Sequence, residues 1–450
     1  MINQFETDLN RIEELLSLEK VHKVTQLLSD RHPSDVAYLV NHTSSAYQHM
    51  LLPLLRGLSE LDEVVYRLDG EVIIELIGIL QAEEVGKLFS QLDSDNAVKI
   101  LGFLPEEVVD WVMLQIPKQD SDELDLQLQY EEDEAGRIMS SGYFSIHEEA
   151  TVHEAFSSLR QSVEAELIYN IYVIDDRRHL VGVFSLRELL LQPNHLKVRE
   201  FMNEQVVSVR HQDDQEAVAR VVERLGISAV PVVNDHLQLV GIVTVDDVIH
   251  IIRSETTEDI MKLAGTTDGE YTLPSPMRNF VRRMPWLMVS FFGGMLTIQT
   301  NLFFSGKVPH IELLAFVTII AGMGGNIASQ SSTIVVRGLA TGQILISELW
   351  TVLLRETATG GLLGLFFGGL IGLAASFEFQ NLALIGLSVS VGMIFSMLIA
   401  AFVGTLMPMI FERLKIDPAV ATGPFVSTTI DNLGLLGFFG STLLILSFVE

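Results

Sequence analysis

Asp431 stands alone as a carboxylate within the apolar stretch from Gly423 to Phe448. A charge at the centre of a membrane helix costs roughly 2.5–3.5 kcal/mol on insertion scales, and a cation on a pathway is the usual compensation. A buried polar contact between helices is the structural alternative. The same stretch carries Thr428, Thr429 and Asn432, and an earlier apolar stretch carries Asn326 and Gln330. Asn326 and Gln330 are four residues apart and share a helix face. Amides inside lipid are costly unless they line water or pair with a neighbour. Carboxylate, amide and hydroxyl oxygens suit hard cations, and Mg²⁺ keeps several of its waters, so outer-sphere contact is chemically sensible.

A second set of acids lies in the polar part of the chain: Glu131, Glu132, Asp133, Glu134, Glu216, Asp246, Asp247, Glu255, Glu258 and Asp259. Carboxylates brought together repel by about 1–4 kcal/mol per close pair, depending on the effective dielectric. Divalent ions would remove that repulsion. The plainer reading is that acidity aids solubility.

These groups need elements to position them. The chain has 450 residues, too long for one ordinary domain. Residues before about Trp286 are polar and the rest are mostly apolar. Residues 1–283 hold 24 Lys and Arg against 50 Asp and Glu, so 26 of the 29 net negative charges lie there. Such acidity argues against a nucleic-acid partner. No cysteine is present, which excludes disulfides and thiolate metal sites. The N-terminus lacks a basic-then-apolar leader pattern, so the soluble part is expected in the cytosol. No phosphate loop, paired nucleophile or His cluster points to an enzyme.

Five segments are long enough to span a bilayer: about 286–305, 311–336, 357–376, 382–411 and 423–448. Arg278, Arg282, Arg283, Arg337, Arg355, Arg413 and Lys415 fall on one side, Lys307 alone on the other. The positive-inside rule then predicts a multi-pass protein of the cell (inner or plasma) membrane, with its N-terminus cytoplasmic and its C-terminus outside. Residues 344–356 read as an interfacial stretch rather than a span. Gly360, Gly364, Gly368 and Gly372 put one small-residue packing face on the third span.

Two internal repeats organise the polar half. Blocks of 12 residues open at Leu68, Leu80, Leu92 and Leu104. Each has an acid three residues on (Glu71, Glu83, Asp95, Glu107) and an apolar residue eight on (Leu76, Leu88, Ile100, Val112). This predicts a small helical solenoid, with each acid in a first helical turn, where the dipole favours it. Residues 137–200 and 201–258 form the second repeat. Leu180-Val-Gly-Val-Phe-Ser-Leu-Arg-Glu188 recurs as Leu239-Val-Gly-Ile-Val-Thr-Val-Asp-Asp247. This resembles a tandem pair of CBS domains. In such pairs a hydroxyl and an acid can hold an adenine nucleotide such as ATP. Ser185, Arg187 and Glu188, or Thr244 and Asp247, are the contacts implied, and a pair that keeps the fold without a nucleotide is the alternative.

The whole order resembles the MgtE family of magnesium channels. The residues that carry the resemblance are Tyr130-Glu-Glu-Asp-Glu-Ala-Gly136, Thr244-Val-Asp-Asp247, Thr257-Glu-Asp259, Gly324-Gly-Asn326 with Gln330, and Asp431 with Gly434. It implies an all-α N-terminal helical solenoid (1–130), an α/β CBS pair (131–200 and 201–258), a connecting plug helix (259–283) and an all-α five-helix membrane domain (284–450). It further implies a homodimer in the lipid bilayer with a pore on its axis, lined by Asn326, Gln330, Thr428 and Asn432, with Asp431 holding hydrated Mg²⁺. Cytosolic Mg²⁺ would close that pore through Asp95, Gly136, Glu216, Asp246, Asp247, Glu255, Glu258 and Asp259. The chain departs from the family pattern at Ala328, Ser329 and Gly423 near the pore, at Lys99, Gly226 and His250 among the sensor positions, and at Asn170 beside the nucleotide site. A less selective divalent-cation channel (Mn²⁺, Co²⁺, Ca²⁺) and a membrane-anchored Mg²⁺ or nucleotide sensor that conducts nothing are the competing readings.

Overall fold

The computed structural model describes residues 2–161, 169–266, 276–307, 311–378, 383–421 and 423–449. It forms two compact units, Met1–Ile252 and Arg253–Glu450. The first unit opens with a run of short helices. The four 12-residue blocks become helices Gly70–Ile79, Ala82–Phe89, Ser94–Phe103 and Glu106–Met113. Leu76, Leu88, Ile100 and Val112 are all buried in one core. The four acids sit in first turns, as the repeat requires.

Two three-stranded sheets follow. They are β1 (Ser145–His147), β2 (Asn170–Ile174) and β3 (Leu180–Ser185), then β4 (Val209–Arg210), β5 (Ala229–Val233) and β6 (Leu239–Thr244). In each, the first pair is parallel and the second antiparallel, with a register shift near the same point, Val173/Ile174 and Val232/Val233. The duplicated sequence therefore gives a duplicated fold. The last strand of each sheet runs straight into a helix, Leu186–Leu191 or Val245–Leu263.

That second helix departs from the expected boundary. No Gly or Pro interrupts residues 245–263, so the CBS helix and the start of the connecting segment are one continuous helix. Residues 276–283 already belong to the first membrane helix. The remainder of the expected plug, residues 267–275, lies outside the described residues.

Among the described residues, five helices are long and apolar enough to cross a membrane. They are Pro276–Ser305, Val317–Ala340, Leu349–Glu378, Ala383–Arg413 and Pro424–Val449. The third corrects the sequence reading. Residues 349–356 are its first turns, not a separate interfacial segment, because nothing between Leu349 and Glu356 breaks a helix. Its glycine face meets the fourth helix: a Cβ on Gly360 would lie 2.5 Å from the Ala401 Cβ, and one on Gly368 2.7 Å from the Ser390 carbonyl. Small residues here let two backbones touch.

Candidate cation pathway and acidic contact

The second membrane helix has two faces. Ile327, Ala328, Ser331, Ser332, Val335 and Val336 are buried in the bundle. Asn326, Ser329, Gln330, Thr333 and Ile334 are exposed and line an open recess of about 510 Å³. Among the described residues no partner is seen for the Asn326 or Gln330 amides. A smaller recess of about 300 Å³ shares Ser329 and adds Ser290, Gly325, Gly423, Ser427 and the Leu263–Ala264 turn. Hydroxyls thus continue the amide stripe towards the end of the connecting helix. Ser290 and Ser427 escaped sequence reasoning, since isolated hydroxyls in apolar helices carry little signal.

Asp431 is half-buried on the fifth helix, one turn beyond Ser427 and on the same face. It sits about 10 Å along that helix at 1.5 Å per residue. Thr428 and Asn432 face elsewhere. Thr428 packs on Gly293 of the first membrane helix, where a Cβ would approach it to 2.5 Å. The buried Asn432 amide donates to the Gly293 carbonyl at 3.3 Å and to the Thr428 carbonyl at 2.8 Å. Both residues join helices within one chain rather than line either recess, because Gly293 leaves a groove that their side chains fill.

In the soluble unit, helix Ser94–Phe103 brings Asp95 against Asp247, at the start of helix Val245–Leu263. The two carboxyls lie within electrostatic reach of each other. Burial, and then the Asp247 charge, push the Asp95 carboxyl well above the usual carboxylate range. Burial also raises Asp247, although the Thr244 hydroxyl and amide donate to it. One Asp95 oxygen is buried without a hydrogen-bond partner. Lys99, exposed and one turn beyond Asp95, lies within electrostatic reach of both acids. Asp246 is exposed and faces Tyr66, whose hydroxyl is raised to about 12 mainly by burial. A carboxyl pair with an unpartnered oxygen fits a hard cation that retains most of its water.

The other expected sensor residues are dispersed. Glu216 pairs with Arg220 at 3.3 Å. Gly136 is buried under the Tyr130 ring and donates its N–H to the His211 carbonyl. Glu258 and Asp259 lie near the end of the connecting helix, in the second unit. There Lys262 donates at 2.5 Å to both Glu258 and Asp417. Asp259 is raised, first by burial and then by the Asp417 charge. Glu255 lies one turn before Glu258 and Asp259 on that helix. No group of three or more acids or histidines poised for a metal occurs among the described residues.

Sequence comparison matches the chain to three family models. These are the MgtE divalent cation transporter domain at residues 317–441, the MgtE intracellular N domain at 31–133, and the CBS domain at 135–193 and 198–254. The magnesium transporter MgtE of Thermus thermophilus is 33% identical over 447 residues, covering 97% of this chain and 98% of that protein. The Bacillus subtilis magnesium transporter MgtE is 30% identical, covering 96% and 95%. The chain belongs to the MgtE family. The cytosolic domain of the Mg²⁺ channel MgtE, solved in complex with ATP, aligns over 54% of this chain and 99% of its own length, at 31% identity and a TM-score of 0.50.

Within the MgtE framework, the departures have physical reasons. Gly226 caps helix Gln215–Leu225 with φ +61°, a left-handed conformation that disfavours any acidic residue there. Asn170 donates to Ser228 and ties the two CBS repeats together. Ser185 and Glu188 form a capping box: the Glu188 amide donates to the Ser185 hydroxyl at 3.1 Å, and the Ser185 amide to the Glu188 carboxylate at 2.7 Å. Thr244 and Asp247 repeat this hydroxyl–acid arrangement. The groups expected to hold a nucleotide therefore already satisfy one another, while Arg187 is exposed.

Proposed function

We propose that the chain is a Mg²⁺ channel of the cell membrane, working as a homodimer and closed by cytosolic Mg²⁺. The observation that carries this reading is the exposed polar stripe Asn326–Ser329–Gln330–Thr333 on a mostly apolar helix. Such a face is costly against lipid and is stable against water or a second copy. Two copies facing each other would enclose a wet path with Asp431 carboxylates beside it. Asp431 attracts the hydrated ion, while the amides and hydroxyls accept or donate to its waters. The N-terminus and the soluble unit lie in the cytoplasm, and the C-terminus lies outside.

Gating follows from the acidic contacts. Asp95 and Asp247 are candidates for one cytosolic Mg²⁺ between the helical domain and the CBS pair. Asp259, with Glu255 and Glu258, is a candidate for another near the connecting helix. Asp246, Glu216 and Gly136 belong to the same proposed set. Bound ions neutralise these acids and favour docking, and their loss at low Mg²⁺ frees the connecting helix. An adenine nucleotide on the CBS pair would act as a modulator through Arg187 and the two capped hydroxyls; a relative's cytosolic domain was solved in complex with ATP.

The test is uptake into proteoliposomes across a panel of divalent cations. Mg²⁺ uptake that disappears in Asp431→Ala supports the reading, and undiminished uptake in that variant defeats it. A less selective divalent channel is the second reading, favoured by Ser329, which lines both recesses where the family pattern differs. Mn²⁺, Co²⁺ or Ca²⁺ uptake matching that of Mg²⁺ would decide for it.

A further inference from the structure

Glu356 is a buried carboxylate in the third membrane helix, only 8% exposed, on neither recess. An ionisable group kept at that position requires a partner. Its Oε2 accepts a hydrogen bond of 3.2 Å from the Ser331 hydroxyl of the second membrane helix. Its Oε1 lies 3.6 Å from the largely exposed Arg355 guanidinium, a weak ion pair. Ser331 is on the buried face of that helix, opposite Asn326, Ser329, Gln330 and Thr333.

The surrounding packing is close, and a Cβ on Gly404 would lie 2.6 Å from the Ala328 carbonyl. Val335 and Leu339 meet Val352 and Met409 in an apolar cluster, and Gly404 lies against Ala328. Packing of this kind holds the helix by shape, and the charge-assisted hydrogen bond from Ser331 adds a directional contact to it. A rotation of one residue position, about 100°, would put Ile327 or Gly325 at the recess in place of Asn326.

We infer that Glu356 is a positioning residue: through Ser331 it holds the second membrane helix in the rotation that presents Asn326, Ser329, Gln330 and Thr333 to the recess. The inference rests on the recess being the conduction path, but its test reads helix orientation and needs no conduction.

The natural absence of cysteine makes the test direct. Single cysteines are placed by Thr333→Cys on the recess face and Val336→Cys on the buried face of the full-length protein. Each is exposed to a charged methanethiosulfonate reagent in liposomes. Thr333→Cys reacts quickly and Val336→Cys slowly. Glu356→Leu narrows that rate ratio roughly tenfold, the scale of one lost hydrogen bond to a charged group. Glu356→Gln preserves the ratio, since an amide oxygen still accepts from Ser331. Ser331→Ala narrows it as Glu356→Leu does, and combining the two adds nothing. An unchanged ratio in Ser331→Ala or Glu356→Leu overturns the inference, as does a Glu356→Gln variant that behaves like Glu356→Leu. Where Glu356→Leu does not fold, Ser331→Ala decides alone. A wild-type protein that conducts no divalent cation defeats the channel reading and leaves this measurement standing.

Discussion

Asp95→Asn tests the acidic contact most sharply. In the soluble unit the Asp95 carboxyl sits beside Asp247, and burial, then that charge, raises it well above the usual carboxylate range. The raised Asp95 fixes the sign of the pH dependence. Its folded-state pKa exceeds the unfolded one, so metal-free stability is greatest at and below the ordinary carboxylate range and falls as pH rises through the raised value. Asp93 and Asp246 oppose ionisation there, while Lys99 and Thr244 favour it. Once both acids are charged, their repulsion is about 1–4 kcal/mol at contact distance. Exposure of Lys99 and part of each acid places the value in the lower half of that range. Under the proposed gating Mg²⁺ recovers the lost stability, and one tenfold in concentration corresponds to about 1.4 kcal/mol. Asp95→Asn removes the repulsion and one proposed ligand together. In EDTA above neutral pH the variant should resist proteolysis of the helical domain better than wild type. It should also need about tenfold more Mg²⁺ for further protection. The assay is limited proteolysis of the full-length protein between pH 5 and 9, with and without Mg²⁺. Equal Mg²⁺ protection in both proteins, with no growth in the wild type as pH rises, would refute the reasoning.

Three further outcomes follow from particular contacts. Lys262→Met removes the ammonium that bridges Glu258 and Asp417; it should lower metal-free stability by about 1 kcal/mol, and added Mg²⁺ should restore it, as read by thermal melting in detergent. Gly226→Ala puts a Cβ at φ +61° and should cost about 1–2 kcal/mol, seen as a lower denaturation midpoint of the soluble unit with Mg²⁺ response unchanged. Gly372→Val places a side chain where a Cβ alone would lie 2.7 Å from the Gly386 carbonyl and would overlap the Ser390 hydroxyl; the expected result is loss of a monodisperse peak in size-exclusion chromatography, while Gly369→Val, with open space around its Cβ, keeps it.

The sequence resolved periodic features and missed singular ones. The 12-residue blocks, the doubled CBS pattern and the four-residue glycine spacing all encode packing faces, and each appears in the structure as the face its period predicts. Asn326 and Gln330 were legible as a shared face for the same reason. Thr428 and Asn432 show where that logic stops. They too are four residues apart, but period alone cannot say which neighbour a face meets, and Gly293 draws them to the first membrane helix. Glu356 and Asp417 left no periodic trace. Each is a lone acid near a helix end, where an interfacial position is the ordinary expectation. Only the third dimension places Ser331 beside one and Lys262 beside the other. The same difference separates the two kinds of carboxylate in the membrane unit. Asp431 is half-exposed on the face that carries Ser427, and no partner is seen for it among the described residues. Glu356 is buried, with a donor from the neighbouring helix. A carboxylate without a protein donor remains free to attract a mobile cation, whereas one already engaged within the bundle serves to fix a helix. Hydropathy alone sets Asp431 within a span and Glu356 at the edge of one, and cannot assign these roles.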